Sequence, residues 1–238
     1  MIKFFRHIRQ SLINQNQMGK YLKYAIGEII LVMIGILLAL QVNDWNENRK
    51  NRRYEREILS IISQNLKNDS IALSIELNKS KESNEWTDRL LKQVGSGNYG
   101  DSLNNWLGKI ISFERFKSQS SAFEVLKSKG IDIISDKNLR LALISYYDER
   151  VPNVYEVFDD VEESFKKDWE PIIREEFLDY KWREYAIPAD AETFLKKQST
   201  ISFLKLYREN RFSSQPYING ALEKISEINE LSKDYLND

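Results

Sequence analysis

YAIGEIILVMIGILLALQVNDW, residues 24–45, decides the fold because it is a long apolar run with one acid inside it. From Tyr24 to Val42 the only strongly polar side chains among 19 residues are Glu28 and Gln41. As an α-helix this run would extend about 28 Å, which matches a hydrocarbon core of roughly 30 Å. A buried helix of a soluble protein rarely has an apolar stretch as long as residues 29–40. We therefore predict a transmembrane helix over residues 24–43.

Aromatic residues flank this run at both ends. Tyr21 and Tyr24 on one side, and Trp45 on the other, fall where interfacial anchors are expected. A cleaved signal peptide has an apolar core of about 7 to 15 residues followed by small residues at a cleavage site. This run is longer and continues into LQVNDWNENRK, so an uncleaved signal anchor fits better.

The basic residues beside the predicted span do not by themselves fix its orientation, because each flank has five. They are Lys3, Arg6, Arg9, Lys20 and Lys23 before the span, and Arg49, Lys50, Arg52, Arg53 and Arg56 after it. The first flank contains no acid and is short, whereas the second leads into a large domain that can be translocated regardless of charge. We therefore expect a cytoplasmic N-terminus and an extracytoplasmic main domain.

Residues 1–23 form a basic segment with an amphipathic start. Met1, Phe5, Ile8 and Leu12 recur at helical spacing, with basic side chains off that stripe. This pattern is typical of a short helix on an anionic membrane surface. A plain basic flank without a helix is the alternative.

Glu28 lies on a stripe that contains several small residues of the span. At 3.6 residues per turn the stripe has these members: Ala25, Glu28, Val32, Gly35, Ala39 and Val42. Small side chains let helix backbones approach each other, and an acid in a membrane usually faces a partner. One interpretation is a packing face for a homo-oligomer or a membrane-protein partner. The other is that Glu28, near the end of the span, reaches the lipid headgroups.

The rest of the chain predicts an all-α domain over residues 44–238. Gly and Pro number only 9 and 4 in 238 residues, too few for a turn-rich β fold. Apolar residues at three- and four-residue steps predict one long stalk-like helix over about 46–94, with an interruption near residues 68–70 as the alternative. A helical bundle over about 101–237 follows. Its later helices are predicted at these segments: AIPADAETFLKK, STISFLKLYREN and YINGALEKISEINELSKDYL.

Several helix ends have sequence signals. Ser121 and Glu124 have capping-box spacing, and Gly130 sits where a C-terminal cap is expected. Asp136 is a candidate N-cap. Pro171 should kink or break an apolar-striped helix that begins after Pro152.

No supported catalytic or cofactor-binding constellation is present in the sequence. GSGNYG, residues 95–100, has the glycine spacing of a dinucleotide loop but follows a helical pattern instead of a strand. Ser164 and Ser202 begin S-x-x-K matches inside amphipathic stretches, without the companion motifs. The only histidine is His7 and there is no cysteine, which excludes the common triads and zinc sites from the main domain. We expect no enzyme activity, no cofactor and no metal.

Acidic and aromatic residues are further candidates for a catalytic or binding site. Asp159, Asp160, Glu162 and Glu163 are interpreted as a solvated helix face, because they flank an apolar stripe. The main domain has four tryptophans: Trp86, Trp106, Trp169 and Trp182. They fit a bundle core, or in part a ligand pocket or partner surface. A net charge of −1 gives no global attraction to nucleic acid, so no such partner is expected.

The segments KYLKYAIGEIILVMIGILLALQVNDWNENRK and SSAFEVLKSKGIDIISDKNLRLALISYY give the chain a family resemblance. The chain resembles an uncharacterised family of small membrane proteins, a domain of unknown function common in Bacteroidota. The resemblance covers the whole chain in outline and is most specific in residues 20–50. It implies a single-pass inner-membrane protein and brings no activity or catalytic residues.

Three functions follow as hypotheses. The first is a non-enzymatic scaffold or accessory subunit that acts through protein contacts of its span and helical domain. The second is an extracytoplasmic ligand-binding sensory domain, which would need a partner to relay its signal. The third is a membrane subunit that uses Glu28 in proton or ion movement.

Overall fold

The apolar run and the residues after it belong to a single helix, α1, Met18–Gly95. The computed structural model describes residues 18–100 and 102–236. The contacts divide the chain between Tyr54 and Glu55 into two units, so α1 contributes to both. The predicted boundaries at residues 23 and 43 lie inside this helix and stay predictions, and the predicted surface helix at the start of the chain lies outside the described residues.

In the first unit, the described side chains are mostly exposed. Every residue from Ile29 to Leu40 is exposed to solvent. Among the described residues, α1 is the one helix long and apolar enough to cross a membrane, because an 18-residue window in it has a mean hydropathy of 2.4 and is 0% buried. An apolar surface of this length without a protein cover is typical of a lipid-facing or partner-facing helix.

In the second unit, α1 is built on a seven-residue repeat. One buried position of the repeat is occupied by Leu59, Leu66, Leu73, Ser80 and Thr87, and the other by Glu55, Ile62, Asp69, Glu76, Ser83 and Leu90. A repeat of this kind keeps one side of a helix against its neighbours. α1 continues through residues 68–70, so the alternative of an interruption there is wrong. Asp69 is 1% exposed and its hydrogen bonds come from the rest of the domain.

The remaining helices follow α1 along the chain, and the all-α prediction is confirmed. They are α2 Ser102–Ile110, α3 Ser121–Lys129, α4 Lys137–Ile144, α5 Val151–Ser164, α6 Glu170–Glu176, α7 Ala191–Lys196 and α8 Gln198–Leu236. A 3-10 turn, Ile131–Ile133, lies between α3 and α4. The last two predicted helices are one helix, because α8 runs through Pro216 without a break.

The helix-end predictions have mixed outcomes. Asp136 caps α4 by accepting a hydrogen bond from the Leu139 amide at 2.7 Å. Gly130 ends α3 with a φ of 108°, a conformation that favours glycine. The capping box at Ser121 is wrong, because Ser121 already lies inside α3 and the residue at the N-cap is Ser120, which makes no side-chain cap bond.

Two π-helical segments connect α4, α5 and α6 into a continuous helical path. They are Ser145–Arg150 and Phe165–Trp169. Each is followed two positions later by a proline, Pro152 or Pro171. Proline lacks an amide hydrogen and its ring crowds the preceding turn. The disturbance expected at Pro171 therefore takes the form of a widened turn before it, and the helix resumes as α6.

The domain also contains a small β-hairpin that the sequence did not predict. Its strands are β1 Phe177–Lys181 and β2 Tyr185–Pro188, paired antiparallel with Lys181 opposite Tyr185. The predicted helix AIPADAETFLKK is therefore wrong at its start, because Ala186 and Pro188 belong to β2 and the helix α7 begins at Ala191.

Candidate functional site

The predicted packing face lies on one continuous helix in the first unit. Ala25 and Glu28 are half-buried, and the rest of the face is exposed: Val32, Gly35, Ala39 and Val42. A Cβ atom added at Gly35 would meet nothing within 4 Å. The face is thus open to a second helix, and its role in packing stays a prediction.

The predicted interfacial aromatics also lie along α1. Tyr24 and Trp45 are 55% and 65% exposed, as membrane anchors would be. Arg49 lies over the Trp45 ring at 5.9 Å from its centroid. Tyr21 is helical, and its side chain is outside the described part of the structure.

The second unit contains an open cavity of about 650 Å³, a size typical of small-molecule sites. Four separate parts of the chain form its wall. The first is α1, with Glu76 and Lys79, and the second is the segment after α2, with Phe113 and Arg115. The third is the second π segment, with Phe165 and Lys166, continued by α6, with Glu170, Ile173 and Arg174. The fourth is the hairpin, with Tyr180 and Trp182. We call these residues the aromatic cavity.

Aromatic rings in edge-to-face contact make one side of the aromatic cavity. Trp182 contacts Phe113 at a centroid distance of 5.1 Å and Phe165 at 5.4 Å, with interplanar angles of 86° and 72°. Both distances are within the range of favourable aromatic pairs. Trp182 is nevertheless 42% exposed, so part of a large apolar side chain faces the open space.

Charged side chains form the rim. Arg115 lies over the Phe113 ring at 4.5 Å, and its guanidinium also contacts Glu162 at 3.2 Å. Lys166 contacts the same carboxylate at 2.9 Å. The hydrogen bond from Lys166, together with that from Arg115, lowers the pKa of the Glu162 carboxyl. Glu162, one of the predicted solvated acids, thus holds two cations at the cavity.

A buried ion pair positions the segment that carries Phe113 and Arg115. Arg211 in α8 and Glu114 are 1% and 0% exposed, and their side chains meet at 3.1 Å. Arg211 also donates to the Ile110 carbonyl at 2.8 Å and to the Ser112 carbonyl. Glu114 is buried, whereas its neighbours Phe113 and Arg115 are half-buried and exposed, so the anchored acid leaves both neighbours at the cavity.

Buried acids of α1 hold the same segment from the other side. Asp69 accepts hydrogen bonds from the Gln119 amide at 2.9 Å, from the Tyr146 hydroxyl at 2.8 Å and from the Ser118 hydroxyl. Burial, and then the charge of Asp69, raise the pKa of Tyr146, so this hydroxyl remains a donor. Sequence reasoning assigns no role to these acids, although their places in the seven-residue repeat are a usable signal.

The hairpin packs closely against α2, and its turn contains a residue with a positive φ. A Cβ at Gly108 in α2 would lie 2.3 Å from the Tyr185 amide nitrogen, so only glycine fits here. Arg183, next to Trp182, has a φ of 60°, which is uncommon outside glycine. The Tyr180 hydroxyl donates to the Ile111 carbonyl at 2.7 Å, and burial raises its pKa. These contacts fix Trp182 at the cavity.

The other sequence candidates are not brought together. GSGNYG connects α1 to α2 and has no strand before it. Ser164 donates to the Asp160 carbonyl within α5, and Ser202 lies in α8. Of the tryptophans, Trp169 is fully buried, Trp86 and Trp106 pair at 5.6 Å, and Trp182 lines the cavity. Among the described residues, no group of three or more acids or histidines is placed to hold a metal ion.

Comparison with known families identifies the chain. A family of unknown function, DUF6090, matches residues 28–167, which is more than half of the sequence. The chain belongs to the DUF6090 family. No curated protein and no solved structure matches it.

The DUF6090 match begins at Glu28 and ends in the second π segment. It includes most of the apolar run and the part of the aromatic cavity formed by α1, the segment after α2, Phe165 and Lys166. The hairpin and α8 lie after it. The expected membership in a family of unknown function is therefore shown over residues 28–167.

Proposed function

We propose that this DUF6090 protein is a non-enzymatic, single-pass scaffold or accessory subunit of a bacterial inner membrane, with the Bacteroidota origin that the resemblance implies. The observation that carries the proposal is the apolar window of α1, which has a mean hydropathy of 2.4 and no part buried in the chain. Insertion into lipid would remove this apolar surface from water, which is favourable. The backbone N–H and C=O groups of the helix are already paired with each other, as a membrane requires.

Association through the span is the proposed mode of action. The stripe from Ala25 to Val42 joins small residues to one acid and leaves Gly35 open to close approach by another helix. Interfaces between transmembrane helices are enriched in such small residues, because they allow the backbones to pack closely. The helical domain would then be presented to partners as part of an assembly.

Gly35→Leu is expected to weaken self-association of the full chain by about tenfold, because the side chain removes roughly 1–2 kcal/mol of close helix packing. The measurement is the oligomer distribution in detergent by light scattering across a dilution series. Gly27→Leu is the matched control, since Gly27 lies on the same helix outside the stripe and its added side chain also meets nothing within 4 Å. A wild-type chain that is monomeric throughout, or equal effects of the two variants, would contradict association through this face.

The proposed orientation has the N-terminus in the cytoplasm. Its support is the contrast between the two flanks: the basic flank before the span is short, whereas the flank after it leads into a large domain that can be translocated regardless of charge. The absence of cysteine gives a clean background for labelling.

Ser226→Cys, at an exposed position of α8, is expected to react with a membrane-impermeant maleimide in intact spheroplasts. Ser11→Cys in the N-terminal flank is expected to react only after lysis. Labelling is read as a mass shift on a gel. The reverse pattern would overturn the orientation, and labelling of both residues before lysis would argue against a span.

A second candidate function is a ligand-binding sensory domain. The observation that favours it is the aromatic cavity, where Trp182 is 42% exposed although it contacts two other rings. A wall of convergent aromatic and polar side chains is typical of small-molecule sites. Its test is binding of small aromatic probes to the full chain, with design and outcomes given below.

A further inference from the structure

We infer that the aromatic cavity is a binding site for a small aromatic anion, a carboxylate or phosphate attached to a flat ring. This inference rests on the second candidate function, that the domain binds a small molecule. The ring would stack against Phe113 and Trp182, and the anionic group would face the basic rim.

The aromatic part of the ligand follows from the open face of Trp182. Phe113 and Phe165 meet Trp182 in edge-to-face geometry, which leaves part of its surface to the cavity. Tyr180 extends this wall, with its ring at 6.1 Å from that of Trp182. A flat ring gains apolar burial and an aromatic pair here, whereas a flexible polar ligand would gain less.

The charge of the ligand follows from the balance of the rim. Among the described residues, the lining includes four basic side chains, Lys79, Arg115, Lys166 and Arg174, and two acidic ones, Glu76 and Glu170. Glu162, which pairs with Arg115 and Lys166 at the rim, is a third acid, so one positive charge is in excess. This excess of positive charge occurs in a chain with a net charge of −1. An aromatic cage for a cation would need the opposite balance. The rim therefore favours an anion.

The cations are also available for exchange. The Arg115 and Arg174 side chains are 72% and 73% exposed, and their present partners, Glu162 and Glu170, are 21% and 42% exposed. Exposed ion pairs contribute little to stability. A ligand carboxylate or phosphate can accept two parallel hydrogen bonds from a guanidinium, which is a stronger arrangement.

Two irregular backbone features, a π-helical segment and a residue with a positive φ, lie beside the aromatic cavity. The π-helical segment contributes Phe165 and Lys166, and the residue after Trp182, Arg183, has the strained φ of 60°. Isolated π segments and strained residues are frequent at binding sites, because both aim side chains where a regular element would not.

The test compares two probes of nearly equal shape, 2-naphthoate and its neutral analogue 2-naphthamide. Binding to the full chain in lipid nanodiscs is measured by calorimetry and by quenching of tryptophan fluorescence, with empty nanodiscs as the blank. We expect 2-naphthoate to bind with a Kd of about 1 mM or lower. We expect 2-naphthamide to bind about tenfold more weakly, because it lacks the charge-assisted hydrogen bonds.

Two variants separate the roles of charge and ring. Arg115→Gln/Arg174→Gln should weaken 2-naphthoate by about tenfold or more and leave 2-naphthamide nearly unchanged. Trp182→Leu should weaken both probes. Lys205→Gln/Lys233→Gln is the matched control, because it removes the same charge from exposed positions of α8 outside the cavity lining and should leave both affinities unchanged. A retained melting temperature shows that each variant is folded.

The outcomes distinguish the inference from the function on which it rests. Equal binding of both probes, or equal effects of the cavity and control charge variants, would overturn the anion inference and leave a ligand-binding domain standing. Failure of both probes to bind the folded wild type at about 1 mM would overturn both.

Discussion

Arg211→Met is expected to lower the free energy of unfolding of the helical domain by about 3–5 kcal/mol. The substitution leaves the Glu114 carboxylate buried without its cation, and it removes the donors of the Ile110 and Ser112 carbonyls. Removing one partner of a buried pair costs more than the pair contributes, because the remaining charge has lost both water and partner. The measurement is urea unfolding in detergent, followed by tryptophan fluorescence.

Two further variants make this prediction specific. Lys233→Met removes a cation from the same helix, α8, but its pair with Glu230 is exposed, so little change is expected. Arg211→Met/Glu114→Leu removes both buried charges and should recover a large part of the lost stability. A double variant no more stable than Arg211→Met would show that the unpaired charge is not the cause.

Gly108→Ala is expected to lower the free energy of unfolding by about 3 kcal/mol. The added Cβ would lie 2.3–2.6 Å from three backbone atoms of Tyr185, so α2 and β2 would have to separate. Since Trp182 is in the turn of this hairpin, its ring should also become more accessible to acrylamide. Thermal unfolding and fluorescence quenching measure the two effects.

Gly95→Ala is the control for this prediction. Gly95 is the last residue of α1 and an added Cβ meets nothing within 4 Å, so the exchange should be neutral or slightly stabilising. A Gly108→Ala variant that behaves like Gly95→Ala would show that α2 and the hairpin do not pack this closely.

The sequence predicted those parts of the fold that depend on local pattern. The long helix was predicted from spaced apolar residues, and Asp136 and Gly130 from the chemistry of helix ends. Three consecutive polar residues at 68–70 favour a turn locally, which is why an interruption of the helix is an alternative from the sequence. In the structure, Ser118 and Tyr146 supply donors to Asp69 from positions distant in the chain, and these bonds outweigh the local preference.

The hairpin and the aromatic cavity were not predictable in the same way. FLDYKWREYAIP has no glycine or asparagine to indicate a tight turn, since Arg183 adopts the positive φ itself. The cavity gathers residues from segments up to about a hundred positions apart, from Glu76 to Trp182. Such a site depends on packing, and each of its residues alone looks like an ordinary surface or core position.

The buried acids of α1 also restrict how the helical domain can move. Glu55 holds the Ser135 hydroxyl at 2.9 Å, while Asp69 and Glu76 hold the segment after α2 at two other levels. A slide of α1 along its axis by one turn, about 5.4 Å, would uncouple all three carboxylates from their donors at once. These hydrogen bonds therefore fix the axial position of α1 within its domain. A sliding movement of α1 along its axis, relative to the rest of its domain, is therefore disfavoured. Any signal carried by this domain would instead be carried by movement of the domain as a whole.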